Sequence, residues 1–269
     1  RRWCLCERRR AAWALGRVGG SMRVVSERRP NILFVFCDQL RQASIGCYGL
    51  DPVLTPNLDR FAGQSLVLSH CLSNQPVCTP YRGMLFTGRY PFRTGLYQNC
   101  NSLSQAHLRD EERCFGDVFA ECGYSLGYIG KLHLHKPTEA DAEHGEGMRS
   151  DGRVWDVYTP PGPARHGFDF WYSYGCCDRH LDPHYWTGDA GPEQRIDPGE
   201  WSVKHEADVA IEYLRNEGGR HRDPDKPFLL MVSHNPPHPP YAQVPEEHVA
   251  PFRDQPVDSI PVHGHDTGH

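Results

Sequence analysis

The chain alternates short apolar runs with segments whose apolar residues recur at helical spacing. Four runs are apolar enough to predict strands, and we expect the first of them to be buried on both faces. These runs occupy residues 31–37, 65–73, 124–134 and 226–234. Strands that alternate with helices predict an α/β fold, with a largely parallel sheet sandwiched by helices.

Residues typical of helix ends predict the helices between these strands. Thr55 and Pro56 have the order of an N-cap and a first helical residue, and Thr79 and Pro80 repeat that order. Gly123 has the position of the residue that follows a helix C-cap. The predicted helices cover residues 55–64, 79–85, 114–123 and 201–218.

Two parts of the chain differ from this pattern. Residues 135–201 are rich in Gly, Pro, Asp and aromatic side chains with weak periodicity, so we interpret them as a loop-rich insertion over the edge of the sheet. Residues 1–21 are arginine-rich and precede Met22. This shift in composition favours a non-native or disordered leader over a basic arm for nucleic acid or targeting. Residues 22–269 would then form one α/β domain.

Composition narrows the functional classes. The net charge of -5 argues against a general nucleic-acid binder. No stretch approaches the roughly 20 apolar residues of a membrane span. After Met22 no secretory signal is evident, which favours the cytoplasm without fixing the compartment. The 11 cysteines lack the spacing of a disulfide framework or a zinc site, so we expect mostly free thiols.

Reactive side chains follow the predicted strands. Asp38 and Gln39 come directly after the first strand. Lys131 and His133 lie at the end of the third and are two residues apart, so the pleat is expected to send both to one face. In open parallel sheets, ligands bind beyond the carboxyl ends of the strands. We therefore expect these four side chains to converge.

Two further segments are expected at the same edge. His234 and His238 follow the last strand. Cys78 precedes a predicted helix, and Arg82 lies within its first turn. A helix N-terminus presents unpaired N–H groups and the positive end of the helix dipole, which suits an anion.

Together these residue types predict a particular chemistry. Lysine and arginine would bind a tetrahedral oxyanion, carboxylate and amide oxygens suit a hard cation such as calcium, and histidines can protonate a leaving alkoxide or phenoxide. Each residue alone has an ordinary explanation; Cys78, for example, would be a small buried hydrophobe. Their common location favours a site that hydrolyses a sulfate or phosphate ester.

Four segments in a fixed order also carry a resemblance. Cys78-Thr79-Pro80-Tyr81-Arg82 leads to Thr87-Gly88, Gly130-Lys131-Leu132-His133 follows, and Pro237-His238-Pro239 comes last. A strand that starts Pro-Asn-Ile-Leu and ends in Asp38 precedes them all. These segments resemble the sulfatase family of the alkaline phosphatase superfamily, over roughly residues 29–252. The four together are specific, whereas Cys-x-Pro-x-Arg alone would be weak.

The resemblance implies a mechanism. A separate formylglycine-generating enzyme would oxidise Cys78 to formylglycine before folding. One hydroxyl of the aldehyde hydrate would attack sulfur, and the second would expel sulfate by C–O cleavage. Arg82 would hold the hydrate, Lys131 and His133 the sulfate oxygens, and His238 the bridging oxygen or the leaving group.

The resemblance also implies calcium, bound by Asp38, Gln39 and the modified Cys78. The ion would polarise the ester and lower the pKa of the hydrate. Gln39 departs from the usual aspartate and removes one negative charge. The family's smaller C-terminal subdomain, with further metal ligands and another lysine, would lie beyond residue 269, so we expect the N-terminal portion of a longer protein.

The predicted function is therefore the hydrolysis of sulfate monoesters on a sulfated small molecule or glycan, by a sulfatase-type catalytic domain. Two alternatives stay open. One is a phosphate or phosphonate monoester hydrolase of the same superfamily, and the other is an inactive truncated copy. No signature in residues 135–201 identifies the natural substrate.

Overall fold

The computed structural model describes residues 29–254. The predicted leader at 1–21, the residue Met22 and the end of the chain lie outside the described residues. The strands are β1 (Ile32–Cys37), β2 (Ser125–Lys131), β3 (Phe170–Tyr174), β4 (Trp186–Thr187) and β5 (Phe228–His234). The α-helices are α1 (Pro56–Ala62), α2 (Cys78–Thr87), α3 (Pro91–Thr94), α4 (Phe115–Glu121), α5 (Ser202–Arg215) and α6 (Glu246–Val249).

The five strands form one sheet in the order β1-β5-β2-β3-β4. β1, β5, β2 and β3 run parallel to one another, and β4 pairs antiparallel with β3. The two central strands, β2 and β5, are buried along their whole length. This arrangement confirms the predicted α/β fold with a largely parallel sheet.

Helices cover both faces of the sheet. On one face, Ala210 and Tyr213 of α5 pack against Leu230 and Val232 of β5. On the other, Phe86 of α2 belongs to a larger aromatic cluster that also contains residues of α4, β2 and β3. Burial of these apolar side chains on both faces supplies the main favourable energy of such a fold.

β1 differs from its prediction. It lies at the edge of the sheet and pairs only with β5 among the described strands. Leu33 and Val35 remain 50% and 52% exposed. The prediction that this strand is buried on both faces is wrong for residues 29–254, because an apolar run cannot by itself indicate how many elements cover it.

Two other segments also differ from their predictions. Residues 65–73 form no strand, and Leu66 and Leu72 are 88% and 92% exposed. Residues 135–201 contain β3 and β4, which extend the sheet although their sequence shows little periodicity. The aromatic residues of this region make those strands, because large side chains such as Trp171 and Tyr174 are buried there.

The helix signals are mostly confirmed. Thr55 is the N-cap of α1, and Gly123 follows the C-cap of α4 with a φ of 79°. α2, however, begins at Cys78, so Thr79 is not its cap. The Thr79 hydroxyl instead donates to the carbonyl of His133 at 2.8 Å and accepts from the amide of Cys100 at 3.0 Å.

The described cysteines form no disulfide, in agreement with the expected free thiols. Within residues 29–254, no helix combines the length and the apolar character that crossing a bilayer requires.

Candidate active site

Three neighbouring strands end at the same edge of the sheet. β1, β5 and β2 are parallel, and their last residues are Cys37, His234 and Lys131. Asp38 continues β1, and its amide donates a hydrogen bond to the carbonyl of His234 at 2.9 Å. Cys78, the first residue of α2, contacts this edge. Carboxyl ends of parallel strands are the usual place for a ligand in such sheets.

One aspartate lies between two buried cations at this edge. Oδ2 of Asp38 is 2.8 Å from Nζ of Lys131 and 3.1 Å from Nη2 of Arg82. Oδ1 of Asp38 is 3.4 Å from Sγ of Cys78, and Nζ of Lys131 is 3.9 Å from the same sulfur. The structure therefore brings together four residues that are up to 93 positions apart in sequence.

These contacts set the charges of the site. Burial raises the pKa of the Asp38 carboxyl, but Lys131 and Arg82 beside it lower that pKa well below its usual range. Burial lowers the pKa of the Lys131 ammonium, and Cys176, Asp38 and Cys78 raise it to about 12. Because two cations face one carboxylate, the site has an excess of positive charge that suits an anionic ligand.

The half-buried thiol of Cys78 is unusually acidic. Burial raises its pKa, but the imidazoles of His133 and His238 and the ammonium of Lys131 outweigh that effect and lower the pKa to about 7. Partly accessible cysteines in electropositive surroundings are typically reactive, whereas buried structural cysteines are inert.

His133 reaches the site by a different route from the one predicted. β2 ends at Lys131, and His133 has a left-handed φ of 51°, so the pleat of a strand does not align the two side chains. Nε2 of His133 donates to the carbonyl of Cys100 at 2.9 Å, and burial lowers the pKa of the imidazole. Nδ1 is buried and has no hydrogen-bond partner among the described residues. Such an atom is expected to face a ligand.

His238 is held as a cation at the wall of the site. Nδ1 lies 3.2 Å from Oδ1 of Asp178. Burial lowers the pKa of His238, but Asp178 and Cys78 outweigh that effect and raise it to about 10. An imidazolium next to a reactive group is a suitable proton donor.

Arg82 makes several hydrogen bonds within the protein. Its guanidinium is 2% exposed and donates to the carbonyl of Lys131 at 2.5 Å, to the hydroxyl of Ser233 at 2.8 Å and to Asp38. It also lies over the ring of Phe36, 5.2 Å from the ring centre. Arg82 thereby fixes the ends of β1, β2 and β5 relative to α2.

A cavity of about 410 Å³ opens at these residues. Asp38, Gln39, Cys78, Arg82 and His238 all contribute to its wall. Its size is within the range of pockets that hold small molecules. Gln39 has a left-handed φ of 60°, a conformation that side chains other than glycine adopt rarely and mostly at turns and functional sites.

His234 does not join this group, although it was predicted at the same edge. Its Nδ1 is 2.6 Å from Oε2 of Glu206, on the face covered by α5. Alternation along β5 sends this side chain away from the cavity.

Two residues of the site were missed from the sequence. Asn235 accepts a hydrogen bond from Lys131 at 2.9 Å and donates to Asp178 at 3.1 Å. Its position directly after β5 is a signal that could have found it. Asp178 lies within residues 135–201, where no pattern marked it.

A family model described as Sulfatase matches residues 30–259. The chain belongs to the sulfatase family. That membership agrees with the resemblance carried by the four sequence segments and with the fold.

Two curated sulfatases illustrate the relationship. The chain is 46% identical over 247 residues to an endo-4-O-sulfatase of Bacteroides thetaiotaomicron. The aligned region covers 86% of this chain and 48% of that relative. The chain is 33% identical over 220 residues to an ulvan-active sulfatase of Formosa agariphila. Here the aligned region covers 82% of this chain and 38% of the relative. The chain thus spans about half the length, or less, of the curated sulfatases it matches.

Solved sulfatase structures give the same result. A structure from work on glycosaminoglycan metabolism by Bacteroides thetaiotaomicron has a TM-score of 0.79 at 45% identity, and covers 87% of this chain and 50% of its own. A sulfatase structure from Bacteroides fragilis has a TM-score of 0.77 at 36% identity, and covers 88% and 52%.

The metal implied by the sulfatase resemblance fits the described residues in part. Asp38 and Gln39 line the cavity and have side-chain oxygens of the kind that bind calcium, and Oδ1 of Asp38 lies beside Cys78. Calcium takes six to eight oxygen ligands. Two side chains supply one side of such a site, so further oxygen ligands are needed to complete it.

Proposed function

We propose that this chain forms the nucleophile and anion-binding portion of a hydrolase for sulfate monoesters. The observation that carries the proposal is the position of Cys78. Its sulfur lies 3.4 Å from Asp38 and 3.9 Å from the buried ammonium of Lys131, at the wall of an open cavity. A nucleophile beside fixed positive charge is the arrangement that attack on an anionic ester requires.

The cations and His133 would bind the sulfate group. Lys131 has its ammonium next to the nucleophile, and Nδ1 of His133 is buried without a hydrogen-bond partner in residues 29–254. Arg82 would hold the nucleophile and keep Asp38 in place, because it lies beside Asp38 and bridges the ends of β2 and β5. Groups fixed before substrate arrives need little reorganisation during the reaction.

Cys78 would act after oxidation to formylglycine, and the maturation partner would be a formylglycine-generating enzyme. The hydrated aldehyde would supply the attacking hydroxyl and a second hydroxyl that allows sulfate to leave without attack by water on sulfur. Calcium, held by Asp38, Gln39 and residue 78 together with ligands from beyond the described residues, would polarise the ester and lower the pKa of the hydrate.

His238 would donate a proton to the leaving oxygen. Asp178 beside the ring raises the pKa of the imidazole, which favours the charged form that can give a proton to an alkoxide leaving group. The side chain borders the cavity on the same wall as Cys78. The nucleophile and the acid are therefore separate residues.

The substrate class we propose is a sulfated small molecule or glycan. Two relatives named above are an endo-4-O-sulfatase and an ulvan-active sulfatase. The cavity of about 410 Å³ is large enough for a sulfate group and part of the ring that carries it.

Two measurements test the proposal. The protein that carries the full chain would be produced together with a formylglycine-generating enzyme, and the peptide containing Cys78 analysed by mass spectrometry. Conversion lowers its mass by about 18 Da relative to the thiol. Steady-state kcat/KM on an aryl sulfate is expected to exceed that on the matching aryl phosphate by at least about tenfold.

The converse results would refute the proposal. A higher kcat/KM on the phosphate ester would favour a phosphate or phosphonate monoesterase. An unmodified thiol together with no turnover of either ester would favour an inactive copy. Cys78→Ser, which cannot form the aldehyde hydrate, should abolish turnover, whereas Cys47→Ser at an exposed site should preserve it.

A further inference from the structure

We propose that Asp178 is a positioning residue for the leaving-group acid, which holds the His238 imidazole so that Nε2 is directed to the cavity. This inference rests on the proposed function and extends it to residues 135–201, for which the sequence indicated no role. Its basis is a connected set of contacts on both the ring and the backbone of His238.

Nδ1 of His238 is occupied by the protein. It donates to the carbonyl of Pro239 at 2.7 Å and lies within ion-pair distance of Oδ1 of Asp178, at 3.2 Å. The side chain of His180 donates to the backbone carbonyl of His238 at 2.8 Å. Since Nδ1 faces these acceptors, Nε2 on the other side of the ring is the nitrogen left for a substrate.

Asp178 is itself held from several directions. Arg149 lies 2.8 Å from Oδ2, and the amide of Asn235 donates to Oδ1 at 3.1 Å. The backbone amide of Asp178 donates to Glu146 at 3.2 Å. Arg149 also pairs with Glu146 and lies over the ring of Trp155. The carboxylate cannot rotate away from His238 without breaking these contacts, which is how a fixed carboxylate orients an imidazole.

Asn235 connects this support to the anion-binding part of the site. Its Nδ2 donates to Asp178, and its Oδ1 accepts from Lys131 at 2.9 Å. The charged or titratable groups that face His238 are Asp178, Cys78, Lys131, His180 and Asp38. Of these, Asp178 is the carboxylate in contact with the imidazole nitrogen, so its removal should change the ring's orientation most.

The proton balance of the step is simple. One hydroxyl of the residue-78 hydrate loses its proton to solvent, and its oxygen bonds to sulfur as the bond between sulfur and the ester oxygen breaks. Nε2 of His238 gives its proton to the ester oxygen, which leaves as an alcohol. The imidazole becomes neutral and keeps the Nδ1 proton that faces Asp178. A proton from solvent then restores the imidazolium.

The test compares two leaving groups in the Asp178→Asn variant of the full-length, matured protein. For an alkyl sulfate, which needs a proton on departure, kcat should fall by about 10²–10³-fold. For para-nitrophenyl sulfate, whose phenolate leaves without a proton, the fall should be less than about tenfold, and KM should change little for either. Asp182→Asn, an exposed aspartate of the same segment, is the matched control and should change neither.

Two results would overturn the inference: an equal loss on both substrates, which indicates a general structural role, or an additional loss when Asp178→Asn is combined with His238→Gln. If Asp178 acts only through His238, the double variant should lose no more kcat than His238→Gln alone, because the effects of residues that act as one unit are not additive.

A readout without turnover separates this inference from the proposed function. Nitrogen NMR of labelled histidines, with His238→Gln to assign the signal, should show a hydrogen-bonded Nδ1 proton on His238. The chemical shift of that proton should change in Asp178→Asn, because the carboxylate is lost and the Pro239 carbonyl remains as an acceptor, and it should stay unchanged in Asp182→Asn. If the wild-type protein turns over no sulfate ester, the proposed function fails, and the NMR result alone still decides whether Asp178 positions His238.

Discussion

Among residues 29–254, several clusters combine a cysteine, a histidine and an aspartate, and two of them lie close together. The cavity cluster is Cys78, His238 and Asp178. The interior cluster is Cys177, His184 and Asp156, in which Nδ1 of the histidine is 3.8 Å from sulfur and Nε2 is 2.6 Å from Oδ2 of the aspartate. By residue type the interior cluster looks at least as much like a catalytic triad as the cavity cluster does.

Their surroundings are opposite. The interior cluster is at most 3% exposed, and burial with the nearby Asp156 raises the pKa of Cys177 well above its ordinary value. The cavity cluster borders open space, and its thiol is made acidic by two imidazoles and Lys131. Whether a Cys-His-Asp cluster is structural or reactive therefore depends on its exposure to solvent and on the cations around it.

The clusters are also physically connected. Cys177 precedes Asp178 directly, and its carbonyl accepts a hydrogen bond from Asn235 at 2.7 Å. Asp156 accepts the amides of Gly175 and Cys176 at 2.9 and 3.0 Å. We infer that the interior cluster stabilises the segment that the cavity cluster uses.

The largest effect is expected from removing Lys131, the cation that lies next to the cavity cluster and that the interior cluster lacks. Lys131→Ala should lower kcat/KM for sulfate esters by about 10²–10³-fold, because it deletes the ammonium next to residue 78. Lys204→Ala, on the exposed face of α5, should change it by less than about twofold. Steady-state kinetics with thermal unfolding of both variants checks this, and retention of more than a tenth of the activity would contradict it.

The next effect concerns stability. Asp156→Ala breaks three hydrogen bonds of the interior cluster and should lower the free energy of unfolding by about 3 kcal/mol. Urea denaturation measures this, with the exposed Asp151→Ala as control at less than about 0.5 kcal/mol. An unchanged midpoint for Asp156→Ala would show that the interior cluster is not a support.

A third prediction compares the two thiols directly, in protein made without the maturation enzyme. The folded structure favours the Cys78 thiolate, so iodoacetamide labelling of Cys78 should rise with pH around a midpoint of about 7. At pH 7 this gives roughly tenfold more thiolate than an ordinary cysteine has. Cys177 should stay unlabelled until the protein unfolds.

His238→Gln sharpens that experiment. It removes a group that favours the thiolate, so the midpoint for Cys78 should move to higher pH. Peptide mass spectrometry across a pH series measures both midpoints. A wild-type midpoint above about 8.5 would contradict the proposed environment of the thiol.

The smallest loss of kcat is expected for Arg149, which contacts Asp178 but is not among the residues that line the cavity. Arg149→Lys loses the planar guanidinium that contacts both Glu146 and Asp178, and should lower kcat for an alkyl sulfate by about fivefold. Arg153→Lys, an exposed arginine that pairs with Asp151, is the control. If the two variants behave alike, the support around Asp178 does not extend to Arg149.

The success and failure of the sequence predictions follow one rule. Asp38, Lys131 and Cys78 were correctly expected to meet, because parallel strands deliver their carboxyl ends to one edge. His234, expected there too, faces Glu206 instead, since its direction depends on alternation within β5. The strand predicted at 65–73 is absent, because apolar residues alone do not create a partner strand.

The amino-acid sequence was sufficient to predict the fold class and the sulfatase resemblance, and to name most of the residues that meet at the candidate site. These are encoded locally, by apolar runs, helix-end signals and short motifs. The packing of the whole chain places β1 at the edge of the sheet, gives His133 its left-handed conformation and brings Asp178 next to His238. Those contacts join residues far apart in sequence, and which distant side chains meet depends on how the whole chain packs rather than on any local pattern.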